Sequence, residues 1–361
     1  MKLIYSICML LIASQAPSGT HNSLNQHKNH NNHNMAVSNN EPDELGRRLY
    51  GMKHELTPEV SNELRRKIPL FNQYTDAQIS MSMSMMGSNY AWYLSKPELK
   101  AKQGVLILLH GFRDGDQLFK QEIKNFTDIF PTAMAPGMSM MMSNHIQLAI
   151  NDLESAGAEQ IVIVPIVSTS HNTLMRQWEY IFGLEKEAPY ASVAKITSKS
   201  EILFANPPGD NPLVAEILID HALEISENPK EEVVIVVAHG PSFENDNKKV
   251  SEELLQLAKI MKEDSDFSDV QALTLQDDAT PDIRKANVAQ LREMVINASE
   301  AKKTVLVVTN LIGTRTIQSK LRKDLNKLDF KFNKKGLSEH PNFIDEWLGQ
   351  TILEKFENNP I

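Results

Sequence analysis

The 361-residue sequence predicts an α/β protein: two tandem, similar parallel-sheet units behind an N-terminal helical extension. Three observations carry that prediction. First, beyond residue 100, short runs that are apolar on nearly every residue (VLILL, IVIVPIV, EILFA, VVIVVA, VQALTL, VLVVTNLI) alternate with amphipathic stretches such as LVAEILIDHALEIS. A strand that is apolar throughout is covered on both faces, as in parallel sheets flanked by crossover helices. Second, the order repeats. VLILLHG at 105–111 returns as VVIVVAHG at 233–240, and IVIVPIVSTSHNT at 161–173 returns as VLVVTNLIGTRTI at 305–317. Third, the echoes are spaced to give units of about 130 residues, a size that suits one βαβ-built domain.

Taken in chain order, residues 1–17 predict a secretory signal peptide. MKLIYSICMLLIASQAPSGT has one lysine, an apolar stretch over 3–13 and then small or polar residues. That stretch is too short to span a bilayer, which needs about 20 apolar residues. The expectation is export to a periplasmic location, with no stable membrane span once the signal is removed. Cys8 is the only cysteine and lies inside the signal, so the mature chain would have no disulfide and no thiolate ligand.

Residues 18–45 are rich in Asn and His and almost devoid of large apolar groups, so they predict a disordered linker that cannot repay the entropy of ordering. His21, His27, His30 and His33 in it either capture divalent metal or merely space the chain. Residues 46–100 predict the helical extension. Thr57 is a natural N-cap with Pro58 at the first helical position, and a second helix is expected over DAQISMSMSMMGSNYAWYL, 76–94. The first α/β unit is expected over 101–228 and the second over 229–361.

The formal net charge is −9, with acidic and basic residues mixed along the chain, so no basic stripe exists to follow a phosphate backbone. No nucleic acid partner is expected. The sequence also lacks a Gly-x-Gly-x-x-Gly or Walker-type loop and a His-Glu-x-x-His helix, which removes nucleotide-binding and zinc-protease readings.

Ligands of open α/β sheets bind beyond the carboxyl ends of the strands. Three histidines stand there: His110 after VLILL, His239 at its echo, and His171 just past IVIVPIV. Neutral imidazoles converging on a cleft can hold a divalent metal; alternatively, each caps its own loop. HGF after an apolar strand also occurs in α/β-hydrolases, but the nearest approach to their nucleophile elbow, Gly137-Met-Ser139-Met-Met, lacks the second glycine. His54, His145, His221 and His340 lie in helical or C-terminal contexts and read as ordinary helix or surface histidines.

Together, LLHGFRD, DLESAGAEQIVIVPIVSTSHNTLMRQWEY, VVAHGP and GLSEHPNF resemble the CbiX/SirB-type sirohydrochlorin chelatases in a two-repeat form, over about residues 103–350. The resemblance implies a chelatase-like fold and ATP-independent insertion of a divalent metal into a sirohydrochlorin-like tetrapyrrole. Co²⁺ is the first candidate, with Ni²⁺ or Fe²⁺ next. It implies His110 and His171 as the metal-holding and catalytic residues, with His239 and Asp277 as weaker metal candidates. Imidazole suits the task, because it can hold an ion loosely or accept a pyrrole proton near neutral pH.

Four residues are expected on the tetrapyrrole side. Arg113 lies in the strand-end turn beside His110, placed to pair with carboxylates. Arg176 and Trp178, in LMRQWEY, either wall the macrocycle or belong to a helix that buries an aromatic face. Met140, or a neighbour in GMSMMM, stands where the family usually has a Glu. The methionine runs at 80–86 and 137–142 serve as soft ligands, line an apolar pocket or fill the core. The second unit offers Asp277 and Asp278 but has Arg315 in place of His171. The alternative to a chelatase is a non-catalytic exported carrier of metal or tetrapyrrole.

Overall fold

The computed structural model describes residues 56–87, 91–96, 98–110, 127–137, 139–140, 142–313 and 316–361, together with 42, 46, 48 and 49. The expected signal peptide, nearly all of the His/Asn-rich tract, His54, Arg113 and Arg315 lie outside the described residues.

Two sheets form. The first runs β1 (Arg48–Leu49), β2 (Ala91–Ser95), β4 (Thr132–Pro136), β3 (Gln103–Leu109), β5 (Gln160–Ile166), β6 (Glu201–Phe204). The second runs β10 (Lys331–Phe332), β9 (Thr304–Asn310), β7 (Glu232–Ala238), β8 (Asp269–Thr274). Within β4-β3-β5-β6 and within the whole second sheet, neighbours are parallel. The two parallel sets share one order: the first strand of each unit, β3 or β7, lies between the second and the third, and the fourth is at the edge. The tandem repeat expected from VLILLHG and VVIVVAHG is thus a repeat of topology.

The apolar strands are covered on both faces, as expected. One face of β3 and β5, through Leu106, Leu108, Ile161 and Ile163, packs on α3 (Asn144–Ser155) and α4 (Thr173–Ile181). The other face, through Val105, Ile107, Val162 and Val164, joins a core shared with Val234 and Val236 of β7 and Leu306 and Val308 of β9. Between the sheets lie α5 (Pro212–Leu223) and α6 (Glu244–Glu263), which contribute Val214, Leu218, Leu254 and Leu257 to that core. The far face of the second sheet is covered by α7 (Pro281–Glu300) and α8 (Thr316–Asp324).

Pro165 sits inside β5, where a strand interior normally needs every N–H. Ile163 accepts from Ala205 on the β6 side, and residues two apart in a strand point to the same side, so the N–H that Pro165 lacks faces the flank where β6 has already ended. The strand loses no ladder bond there.

The chain then returns to the first unit. A π-helical turn (Phe343–Leu348) leads into α9 (Gly349–Glu357), where Phe356 meets Phe130 at 5.0 Å between ring centres. Gln160 Nε2 donates to Asn359 O at 2.9 Å. Among the described residues no helix is long and apolar enough to cross a membrane.

The extension begins as expected. Thr57 Oγ1 accepts from Val60 N at 3.3 Å, and Pro58 opens α1 (Pro58–Lys67). The helix expected over 76–94 is corrected: α2 covers Asp76–Gly87 only, and Ala91–Ser95 is strand β2, antiparallel to β4. Trp92 and Tyr93 are buried, and aromatic residues fit a pleated, half-covered surface better than an exposed helix. Arg48 of β1 (2.6 Å) and Trp92 Nε1 (3.0 Å) both bind Asp152 on α3, which fastens this added edge to the first unit.

Candidate metal and ligand cleft

His110 directly follows β3, and the register of β3 with β5 pairs Leu109 with Ile166. His110 and His171 therefore follow adjacent parallel strands at the same end of the sheet. His171 lies in the turn between β5 and α4. Asn172 caps that helix, with Oδ1 accepting from Met175 N at 2.8 Å and Nδ2 donating to Thr169 O at 3.0 Å. The cap holds the backbone on both sides of His171, whose side chain is 42% exposed.

The second unit clamps this turn through two carboxylates of α6. Ser170 N–H donates to both oxygens of Glu253, at 3.1 and 3.3 Å. His171 Nε2 lies 3.9 Å from Glu253 Oε1. Arg176 Nη1 reaches Asp246 Oδ2 at 2.6 Å. Sequence reasoning did not single out Glu253 or Asp246. Their helix, ENDNKKVSEELLQLAKIMKE, reads as an ordinary charged amphipathic helix, and 83 residues separate Ser170 from Glu253.

His171 opens on a cleft of about 1660 Å³ whose walls include Arg176, Glu179, Arg66, Lys249 and Trp347. Its wall thus comes from the extension, both units and the C-terminal return. Burial pushes the Glu179 carboxyl above its ordinary value, and Glu185 adds to the effect against the opposing Arg176.

In the second unit, His239 follows β7. Its Nδ1 bonds Gly240 O at 2.8 Å, and its Nε2 lies 3.4 Å from Asp278 Oδ2. Asp277, expected as a weaker metal candidate, is corrected. Arg284 Nε holds its Oδ1 at 2.6 Å and Lys320 Nζ holds its Oδ2 at 2.5 Å, so both oxygens are committed inside the fold. Burial alone would raise that carboxyl; His239, Lys320 and Arg284 outweigh it and hold the group below its ordinary value.

Gly240, beside His239, has φ +73°, and a Cβ there would lie 2.6 Å from Thr274 Cβ on β8. Gly240→Ala combines a left-handed backbone with a clash against a strand. It should cost about 2 kcal/mol or more, read as a lower urea midpoint; an unchanged midpoint would refute this.

Two expected ligand contacts are also corrected. Trp178 is fully buried on the sheet side of α4 with Leu174 and Ile181, so it cannot stack on a ligand in the cleft. Met140 is 5% exposed and packs with Leu64, Ile68 and Phe71, joining the extension to the first unit. Arg176 does line the cleft, but as the partner of Asp246. Among the described residues no three of His, Cys, Asp and Glu converge as a metal site.

No family model matches the sequence, and no curated protein matches it. Among solved structures, SirB from Bacillus subtilis with Fe3+ superposes with a TM-score of 0.53 at 15% identity, covering 72% of this chain and 98% of that one. DR2241 from Deinococcus radiodurans, described as a multi-domain protein with structural similarity to chelatases and two additional novel domains, gives a TM-score of 0.44 at 12% identity, covering 70% of this chain and 55% of that one. At 15% identity the likeness to SirB speaks to the course of the backbone and not to the chemistry of the side chains. The chain therefore has a chelatase-like α/β fold.

Proposed function

We propose that this chain is an ATP-independent chelatase of the two-repeat type, which inserts a divalent metal into a tetrapyrrole bound in the cleft. The observation that carries the reading is the placement of His110 and His171 after adjacent parallel strands, with His171 on the wall of a cleft of about 1660 Å³. Pockets for drug-sized ligands run to about 1000 Å³, so this one suits a large flat ligand. The fold likeness to SirB, described with Fe3+, supports the same reading.

The two imidazoles hold the ion and leave its remaining positions to water and then to pyrrole nitrogens. As two metal–nitrogen bonds form, two pyrrole N–H protons leave, and an imidazole or a cleft carboxylate such as Glu179 accepts them. Imidazole accepts most late first-row ions; Co²⁺ comes first in this reading because of the resemblance to the sirohydrochlorin chelatases, with Ni²⁺ or Fe²⁺ next, and a sirohydrochlorin-like polycarboxylate as acceptor. Export to the periplasm belongs to the same reading and is supported by the composition of residues 1–17.

The test mixes the purified chain with Co²⁺, Ni²⁺ or Fe²⁺ and sirohydrochlorin, following the absorbance change of metallation. Multiple turnovers are expected, falling at least about a hundredfold in His110→Ala and His171→Ala. Stoichiometric binding without turnover would assign the carrier role instead. Turnover unchanged in both variants would remove the site.

A further inference from the structure

We propose that His221 and His340 form an acid-sensitive latch: closed at neutral pH, it holds the C-terminal return, and with it one wall of the cleft, against α5. The latch is a property of that wall, whatever the cleft binds.

The return passes α5 through the segment 333–340. Asn333 Nδ2 donates to His221 O at 2.7 Å and to Glu224 Oε2 at 2.8 Å, and Lys335 Nζ reaches Glu224 Oε1 at 2.6 Å. Farther along, the His340 ring lies edge-on to the His221 ring, with 5.9 Å between centres. Asn342 N–H donates to His340 Nδ1 at 3.3 Å, which leaves Nε2 to donate to Asp220 Oδ2 at 3.1 Å. Just beyond, Phe343 stacks on Trp347 at 5.0 Å between centres, and Trp347, Thr351, Glu354 and Lys355 line the cleft. The segment that closes on His221 therefore leads directly into the wall.

His221 is 1% exposed, and neither ring nitrogen has a hydrogen-bond partner among the described residues. An imidazolium there would have a charge and two N–H groups without water. Burial lowers the ring to about 4; Glu224 and Asp220 favour the charge, while His340 and Lys335 oppose it. Both carboxylates are already engaged, Glu224 by Lys335 and Asn333 and Asp220 by His340. Separating the two rings lets water solvate the charged form instead. With the return open, His221 titrates near the ordinary 6.5. The closed value lies below the open one, so closure is fully stable above about pH 6.5 and weakens as pH falls toward 4, the open population rising about tenfold per pH unit.

Amide hydrogen exchange of the full chain, with chelator present and corrected for the intrinsic rate, should be compared at pH 7.0 and 5.0. Protection over 343–357 should be lower than in β7 at both pH values and fall about twentyfold between them. His221→Leu, which fills the site without a titrating ring, should abolish that fall, and His221→Gln serves the same purpose if the leucine variant does not fold. Equal protection in the return and in β7 at both pH values would mean that the return opens only with the whole fold, and would overturn the latch without any variant. So would a fall that persists in either variant, or a return whose protection does not change with pH.

Discussion

Acidification from pH 6.5 to pH 4.5 should destabilise the fold steeply. Two buried imidazoles are responsible. Burial lowers His145 on α3 to about 3. Burial, with His340 and Lys335 adding to it against Glu224 and Asp220, lowers His221 on α5 to about 4. In the unfolded chain both titrate near 6.5. A folded value below the unfolded one means that the unfolded state takes up the protons first, so stability is complete above about pH 6.5 and is lost as pH falls toward 4.

Each imidazole contributes a slope of about 1.4 kcal/mol per pH unit in that window, roughly 3 kcal/mol for the two. Over two units this approaches the whole stability of a typical domain, about 5–15 kcal/mol. Asp277, held low, acts in the same direction but only below about pH 4, where its unfolded form protonates. Urea unfolding followed by circular dichroism at pH 7.0, 5.5 and 4.5, with chelator present, should show the midpoint falling at each step, and His221→Gln should reduce the slope by about half. A midpoint that holds from pH 7.0 to 4.5 would show that neither imidazole is kept neutral by the fold.

Trp178→Ala should cost about 3–5 kcal/mol, the usual range for deleting a fully buried indole. Trp178 is enclosed by Leu106, Leu108, Ile161 and Ile163 of the sheet and by α3, so truncation leaves a cavity that backbone on two sides keeps open. Its Nε1–H has no hydrogen-bond partner among the described residues. Trp178→Phe removes that unsatisfied donor along with part of the ring, and the two effects oppose each other, so about 1 kcal/mol of loss is expected. Chemical denaturation measures both. Co²⁺ affinity should be unchanged in Trp178→Phe; a large affinity loss at near-normal stability would return the indole to the cleft.

The period of α4 had already separated these roles. Leu174, Trp178 and Ile181 recur at helical spacing and face the sheet, whereas Arg176, Glu179 and Tyr180 fall on the side that lines the cleft. Treating LMRQWEY as one aromatic and basic group, instead of two faces, is what put Trp178 in the site. Residues 91–95 went wrong for a different reason. In sequence, a methionine-rich helix ending at Gly87 is followed after only three residues by Ala-Trp-Tyr-Leu-Ser, and pairing with β4 on one side and β1 on the other makes that stretch a strand. The Asp277/Asp278 pair was legible as acidic, but adjacent residues point different ways: one carboxylate went to Arg284 and Lys320 and the other to His239.

What the sequence by itself determined is what a short window of chain encodes: the apolar strands, the helix cap at Thr57, the repeat of one topology in two units, and histidines placed after the first strand of each. These follow from alternation, capping chemistry and Pro or Gly stereochemistry, all of which act within a few residues. Only the tertiary structure decided which charges meet. Glu253 lies beside His171, Asp246 holds Arg176, and Asp152 gathers Arg48 and Trp92, across gaps of 60 to 104 residues. An ion pair depends on distance through space, and nothing in either flanking sequence specifies that distance until the two sheets share a core.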